Sequence, residues 1–218
     1  AEWAGGRQWL GGEGGPRFFA MGALVAAILA SLGLFASFFH LGRPARAWRA
    51  ATMWRTSWMS REVIVLPVFI ALALAYGLSH WFSWPEHLLV GASAALAAMA
   101  LFVCTGMIYA CIRFLREWAT PLTPINFTLL GCASGFTLAA LLAAVAAPQL
   151  LRFFLLGAMA FTVAAWVGRL VAWRRNAWLV PKSTLQTAIG INHACIEQKS
   201  HVFMGGSFNT REFFHGRT

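Results

Sequence analysis

The sequence predicts an all-α protein, a polytopic transmembrane helix bundle, and three observations lead there. The chain is 59% hydrophobic and only 11% charged, whereas a soluble domain is about half apolar and about a quarter charged. It contains five long apolar runs, four of them without a formal charge. It also carries 11 tryptophans, a residue that favours the boundary between lipid and water. The net charge of +10 lies in the segments between the apolar runs. That placement fits a bilayer and a protein partner and argues against nucleic acid.

Residues 1–17 are glycine-rich with scattered charge and read as an exposed N-terminal connection. The bundle is expected over 18–173. Phe18 to Phe39 supplies 22 uncharged residues, enough at ~1.5 Å rise per residue to cross the ~30 Å hydrocarbon core. The polar stretch His40 to Glu62 follows, HLGRPARAWRAATMWRTSWMSRE. Val63 to Phe82 is the second span, with Pro67 tolerable in a membrane helix. Ser79 to His87, with Trp81, Trp84 and Pro85, reads as an interfacial hairpin leading to a third span, Leu88 to Ile112.

Arg113 to Pro121 is a polar loop before a fourth span, Thr123 to Ala147. There Gly131, Ser134 and Gly135 offer a small face for close helix packing. Pro148 to Leu151 turns the chain into a fifth span, Phe153 to Trp173, with Arg169 placed to snorkel to the interface. Residues 174–218 contain no further run of that length and read as an extramembrane segment, ordered around SHVFMGGSFNTREFFHG.

Loop charge orients the bundle. With five spans, residues 1–17 and the turns at 83–87 and 148–152 share one side, which holds Arg7, Arg17 and Arg152. The other side holds fourteen of the 17 basic residues, so the positive-inside rule makes it cytoplasmic.

Little in the chain is equipped for chemistry. Cys104, Cys111, Cys132 and Cys195 have no CxxC spacing, so neither zinc nor an iron–sulfur cluster is expected, and they read as small buried hydrophobes. Haem needs axial ligands projecting into the bundle. His40, His80 and His87 all fall at helix ends, with His80 and His87 opposite His40, and His193, His201 and His215 lie in the tail, so no haem is expected. The span centres are uncharged, which argues against transport.

The stretch 40–62 remains, with a histidine ending one apolar run and a glutamate opening the next. Oxidising a quinol releases two protons and two electrons, and its site needs an apolar slot, a hydrogen-bond partner at each oxygen and a proton acceptor. A histidine, with an ordinary pKa of about 6.5, suits that exchange. Glu62 could relay the proton, with Arg43, Arg46 or Arg61 keeping it ionised. The alternative is that His40 and Glu62 cap two helices at the headgroups of a purely structural anchor.

HLGRPARA at His40–Ala47, followed by S-x-x-S-x-E at Ser57–Glu62, resembles the membrane-anchor subunits of the dimethyl sulfoxide reductase type. WRTSWMSREV, MIYACIRFL and the tail's FMGGSFNTREFF are similar to the quinone-dependent sulfite dehydrogenase branch. The resemblance covers residue 18 to the end and implies about eight helices, hence further helices outside this chain. It implies quinone binding (ubiquinone or menaquinone) at His40 and Glu62, with Ser60 and Arg46 matching the surrounding motif. Tyr109 and Arg113 end a span on the same side; Tyr109 joins the expected quinone site. The anchor itself would hold no catalytic residue for the sulfur substrate.

Molybdopterin and iron–sulfur clusters would belong to partner subunits, a catalytic subunit and an electron-transfer subunit. Arg43, Arg49, Arg55, Arg61, Arg113 and the tail would dock the latter. The arginine-rich face then puts both partners on the cytoplasmic side of the inner membrane, which fits sulfite oxidation with quinone as electron acceptor. The alternatives are an anchor of a dimethyl sulfoxide, polysulfide or thiosulfate reductase running the other way, or one without a quinone site.

Overall fold

The computed structural model describes residues 15–39, 41, 44–179 and 190. Among these residues, five helices are long and apolar enough to cross a membrane: α1 (Gly15–Phe38), α2 (Trp58–Trp81), α3 (His87–Ala110), α4 (Leu122–Ala146) and α5 (Pro148–Ala177). A 3₁₀ helix, Pro44–Ala51, lies between α1 and α2, and there is no strand among the described residues. The expected all-helical bundle of five spans is the observed architecture.

The limits differ from the hydropathy reading in informative places. α1 starts at Gly15 and takes in Arg17, because proline in the first turn loses no hydrogen bond there. α2 starts at Trp58, so Ser60, Arg61 and Glu62 belong to the helix rather than to the loop before it. Ser57 is its N-cap, and its hydroxyl accepts from the Ser60 amide at 3.3 Å. That bond satisfies one of the backbone donors a helix start leaves unpaired. α5 runs to Ala177, beyond Trp173. Of the tail, only Gly190 is described, with φ 70°; its expected order lies outside the described residues.

Sequence neighbours pack in succession, α1 on α2, α2 on α3, α3 on α4 and α4 on α5, with α1 also touching α4. The buried apolar positions are mostly alanine, among them Ala27, Ala73, Ala94, Ala133, Ala143 and Ala165, while leucine, valine and tryptophan face outward. That arrangement suits lipid, where helices approach through small residues because burying large ones brings no hydrophobic gain. Gly106 shows the closeness: a Cβ there would stand 2.5 Å from the Pro124 Cα. Of the small face expected on α4, Gly131 lies against the Phe102 ring. Ser134 and Gly135 do not take part; both are exposed, and a Cβ at Gly135 would meet nothing within 4 Å.

The up-and-down order puts the α1 start, the α2–α3 turn and the α4–α5 turn at one end. Phe18 packs with Ala143, Ala147 and Leu150 there, and its ring lies 5.4 Å from that of Phe154. The polar segment, the α3–α4 loop and the end of α5 share the other end.

Candidate functional site

Glu62 stands five residues after the Ser57 cap of α2, and Thr105 five residues before the end of α3. Antiparallel neighbours therefore bring them to one depth, about 7 Å inside the helix ends at ~1.5 Å per residue. The Thr105 hydroxyl lies 2.5 Å from Glu62 Oε1 and 3.0 Å from the Leu101 carbonyl oxygen. Both side chains are half-buried. Cys104, the residue before Thr105, is buried.

Arg61 is committed elsewhere. Its Nε donates to the Trp54 carbonyl at 3.0 Å and its Nη2 to the Arg55 carbonyl at 2.9 Å. Its guanidinium also sits 4.2 Å from the Trp58 ring centre. A planar fork over an aromatic face is a geometry that arginine favours. It closes the turn before α2, so the hydrogen bond that holds Glu62 comes from Thr105 and not from this arginine.

The other expected residues fall into separate places. Ser60 is buried at the α2 start, and its own amide serves the cap. Arg46 and Arg49 are exposed on the 3₁₀ helix, with Arg49 5.5 Å from the Trp48 ring. Arg55 is exposed over Trp54 at 5.4 Å, and Arg113 is exposed in the α3–α4 loop. Tyr109, one turn beyond Thr105, stacks on Phe127 at 5.3 Å and meets the edge of Trp118 at 5.4 Å. These rings hold it towards α4 and the loop. His40 and Arg43 lie outside the described residues.

Two further contacts tie this end together. Arg175 of α5 donates twice to the Arg116 carbonyl, at 3.1 Å each. Buried Asn126 of α4 donates to the Gly168 carbonyl at 3.4 Å.

The chain matches the family model described as DMSO reductase anchor subunit (DmsC) over residues 16–204. It belongs to the DmsC anchor family. It is also 55% identical over 215 residues to a sulfite dehydrogenase subunit from Allochromatium vinosum, with 93% of this chain covered. The chain spans 66% of that relative's length. No solved structure matches. The expected resemblance is thus the family observed, and a membrane anchor of the DMSO reductase type is what these five spans build.

In this DmsC-family chain, Glu62 is an expected site residue, and its hydrogen-bond partner Thr105 is one that the sequence did not single out. A weak signal for Thr105 existed. It is a hydroxyl in an apolar run and shares a helix face with Tyr109, four residues on, at the end where Glu62 lies. The pairing itself depends on how two helices rotate against each other.

Proposed function

We propose that this chain is the anchor and quinone-reactive subunit of a molybdenum/iron–sulfur oxidoreductase, a sulfite dehydrogenase. An iron–sulfur subunit and a molybdopterin catalytic subunit would dock on its arginine-rich face, on the cytoplasmic side of the inner membrane. The observation that carries the reading is Glu62: a carboxyl held by a hydroxyl between two apolar helices, one and a half turns from a basic surface. An ionisable group at membrane depth is a functional hypothesis by default. The identity with the Allochromatium protein favours sulfite as the electron source.

A quinone fits this setting as an apolar ring whose oxygens need a polar partner and whose reduction takes up two electrons and two protons. In the proposed direction the electrons come from the iron–sulfur subunit. Glu62 and His40 hand protons inward and are recharged from the cytoplasmic water that the arginine-rich face borders. Arg46 and Ser60 lie beside this path in sequence. Arg49, Arg55 and Arg113 are exposed and available for docking.

The assembled complex tests this. Glu62→Gln and His40→Ala should each assemble and lose sulfite-driven quinone reduction by about 10²-fold or more, the usual weight of general acid–base catalysis. Undiminished turnover would leave only a structural anchor. Cys195 should be labelled from the cytoplasmic side of sealed vesicles; labelling from outside alone would favour an exported reductase that oxidises quinol.

A further inference from the structure

We infer that Thr105 is a positioning residue for Glu62, a hydroxyl rotor that keeps the carboxyl hydrogen-bonded in both of its protonation states. The inference rests on the reading of Glu62 as a proton-exchanging group. Its basis is that one hydroxyl has two acceptors in reach, Glu62 Oε1 at 2.5 Å and the Leu101 carbonyl at 3.0 Å. A threonine hydroxyl has one proton to donate and two lone pairs to accept with.

With Glu62 ionised, the Thr105 proton points to Oε1. The 2.5 Å separation falls at the short end expected for a hydroxyl on a carboxylate, about 2.5–2.7 Å. With Glu62 protonated, the direction inverts. The carboxyl O–H donates to Thr105 Oγ1, and the threonine proton turns to the Leu101 carbonyl one helical turn back, a bond that threonine commonly makes in helices. No heavy atom has to move. The pair then differs between its two states by one proton, the one exchanged with the ligand oxygen or with water, and no electron is transferred in this step.

Other partners would favour one state. An arginine favours the ionised carboxyl by its charge, and a backbone carbonyl can bond only the protonated one. In an apolar setting the state left without a partner bears the desolvation penalty of an unmade hydrogen bond. A carboxyl that must cycle is served best by a partner that can both give and accept. Arg61, the nearest basic residue in sequence, donates to the Trp54 and Arg55 carbonyls, which leaves this role to Thr105.

The test uses Thr105→Val, which keeps shape and removes the hydroxyl, and Thr105→Ser, which keeps the hydroxyl. Acid-minus-alkaline infrared difference spectra of the assembled, quinone-free complex show the C=O band of protonated Glu62, assigned by its absence in Glu62→Gln. The band should move to higher frequency in Thr105→Val and stay at the wild-type frequency in Thr105→Ser. In turnover, Thr105→Val should lower kcat about tenfold with KM for quinone little changed. That is less than the loss of the acid–base group itself, about 10²–10⁴, and Thr105→Ser should restore the rate.

A band that does not move in Thr105→Val, or a serine variant as impaired as the valine one, overturns the inference. If Thr105→Val does not assemble, the serine variant decides, because a shifted Glu62 band there is equally fatal. Harmless Glu62→Gln would remove the quinone-site reading and this inference together. A damaging Glu62→Gln beside a silent Thr105→Val would remove this inference alone.

Discussion

The two ends of the bundle are built from the same five helices with a different balance of contacts. At the α1-start end, Phe19 stacks on His80 at 5.1 Å, the Tyr76 edge meets His80 at 4.7 Å, and His80 lies 5.0 Å from His87. Phe18, Ala143, Ala147 and Leu150 are buried beside Phe154. Rings and small apolar residues close that end by dispersion and shape. At the other end the Tyr109 ring also packs on Phe127 and Trp118, but polar ties join it: Thr105 to Glu62, Asn126 to Gly168, Arg175 to Arg116 and Arg61 to the turn before α2. A ring stack has one way of being satisfied. A hydroxyl–carboxyl pair has two, and one proton separates them. The histidines, which first draw the eye as proton carriers, sit partly in the ring-packed end, whereas the carboxyl with a convertible partner sits under the arginines.

The strongest way to break this comparison is to exchange the ends' titratable groups for neutral shapes. Glu62→Gln should lower quinone-coupled turnover by about 10²-fold or more. His80→Phe, which retains a ring against Phe19 and Tyr76, should leave turnover at the wild-type level while the larger, apolar ring destabilises the fold by about 1–3 kcal/mol. Thermal unfolding in detergent beside turnover in membranes separates the two. A collapse of turnover in His80→Phe would assign proton traffic to both ends.

Gly106→Val comes next. A Cβ there meets the Pro124 backbone, which cannot swing aside as a flexible side chain would. Overpacking should destabilise by about 1–3 kcal/mol and displace α3 next to Thr105. Loss of turnover in proportion to stability, with the Glu62 infrared band broadened, is the expected result. A fully stable variant would show that α3 and α4 can separate freely.

Ser57→Ala should have the smallest effect, about 1 kcal/mol of stability from the lost cap. Its measurable consequence is fraying of the α2 start, read as faster hydrogen exchange at Ser60. No change in exchange would mean that Arg61's grip on the Trp54 and Arg55 carbonyls is enough to hold the turn.

The class of the protein, the number of spans and the basic face follow from the amino-acid order alone. A bilayer demands about 20 consecutive apolar residues per helix, and that requirement is local. Phe18–Phe39 and its four counterparts meet it one at a time. Glu62 was also legible, because a carboxylate beside an apolar run is rare enough to notice. The start of α2 was not, since hydropathy alone ends the span at the first charge, whereas the Ser57 cap begins the helix five residues before Glu62.

What only the tertiary structure decided is rotation. These helices are apolar on nearly every side, so no polar stripe announces which face turns inward. Small residues set that instead, through contacts such as Gly106 on Pro124 and Gly131 on Phe102. Gly135, identical in sequence terms, faces open space. The same rotation turns Thr105 towards Glu62, 43 residues away in the chain, while Tyr109 stacks on Phe127. The carboxyl was written in the sequence; its partner depended on how tightly, and on which face, two helices came together.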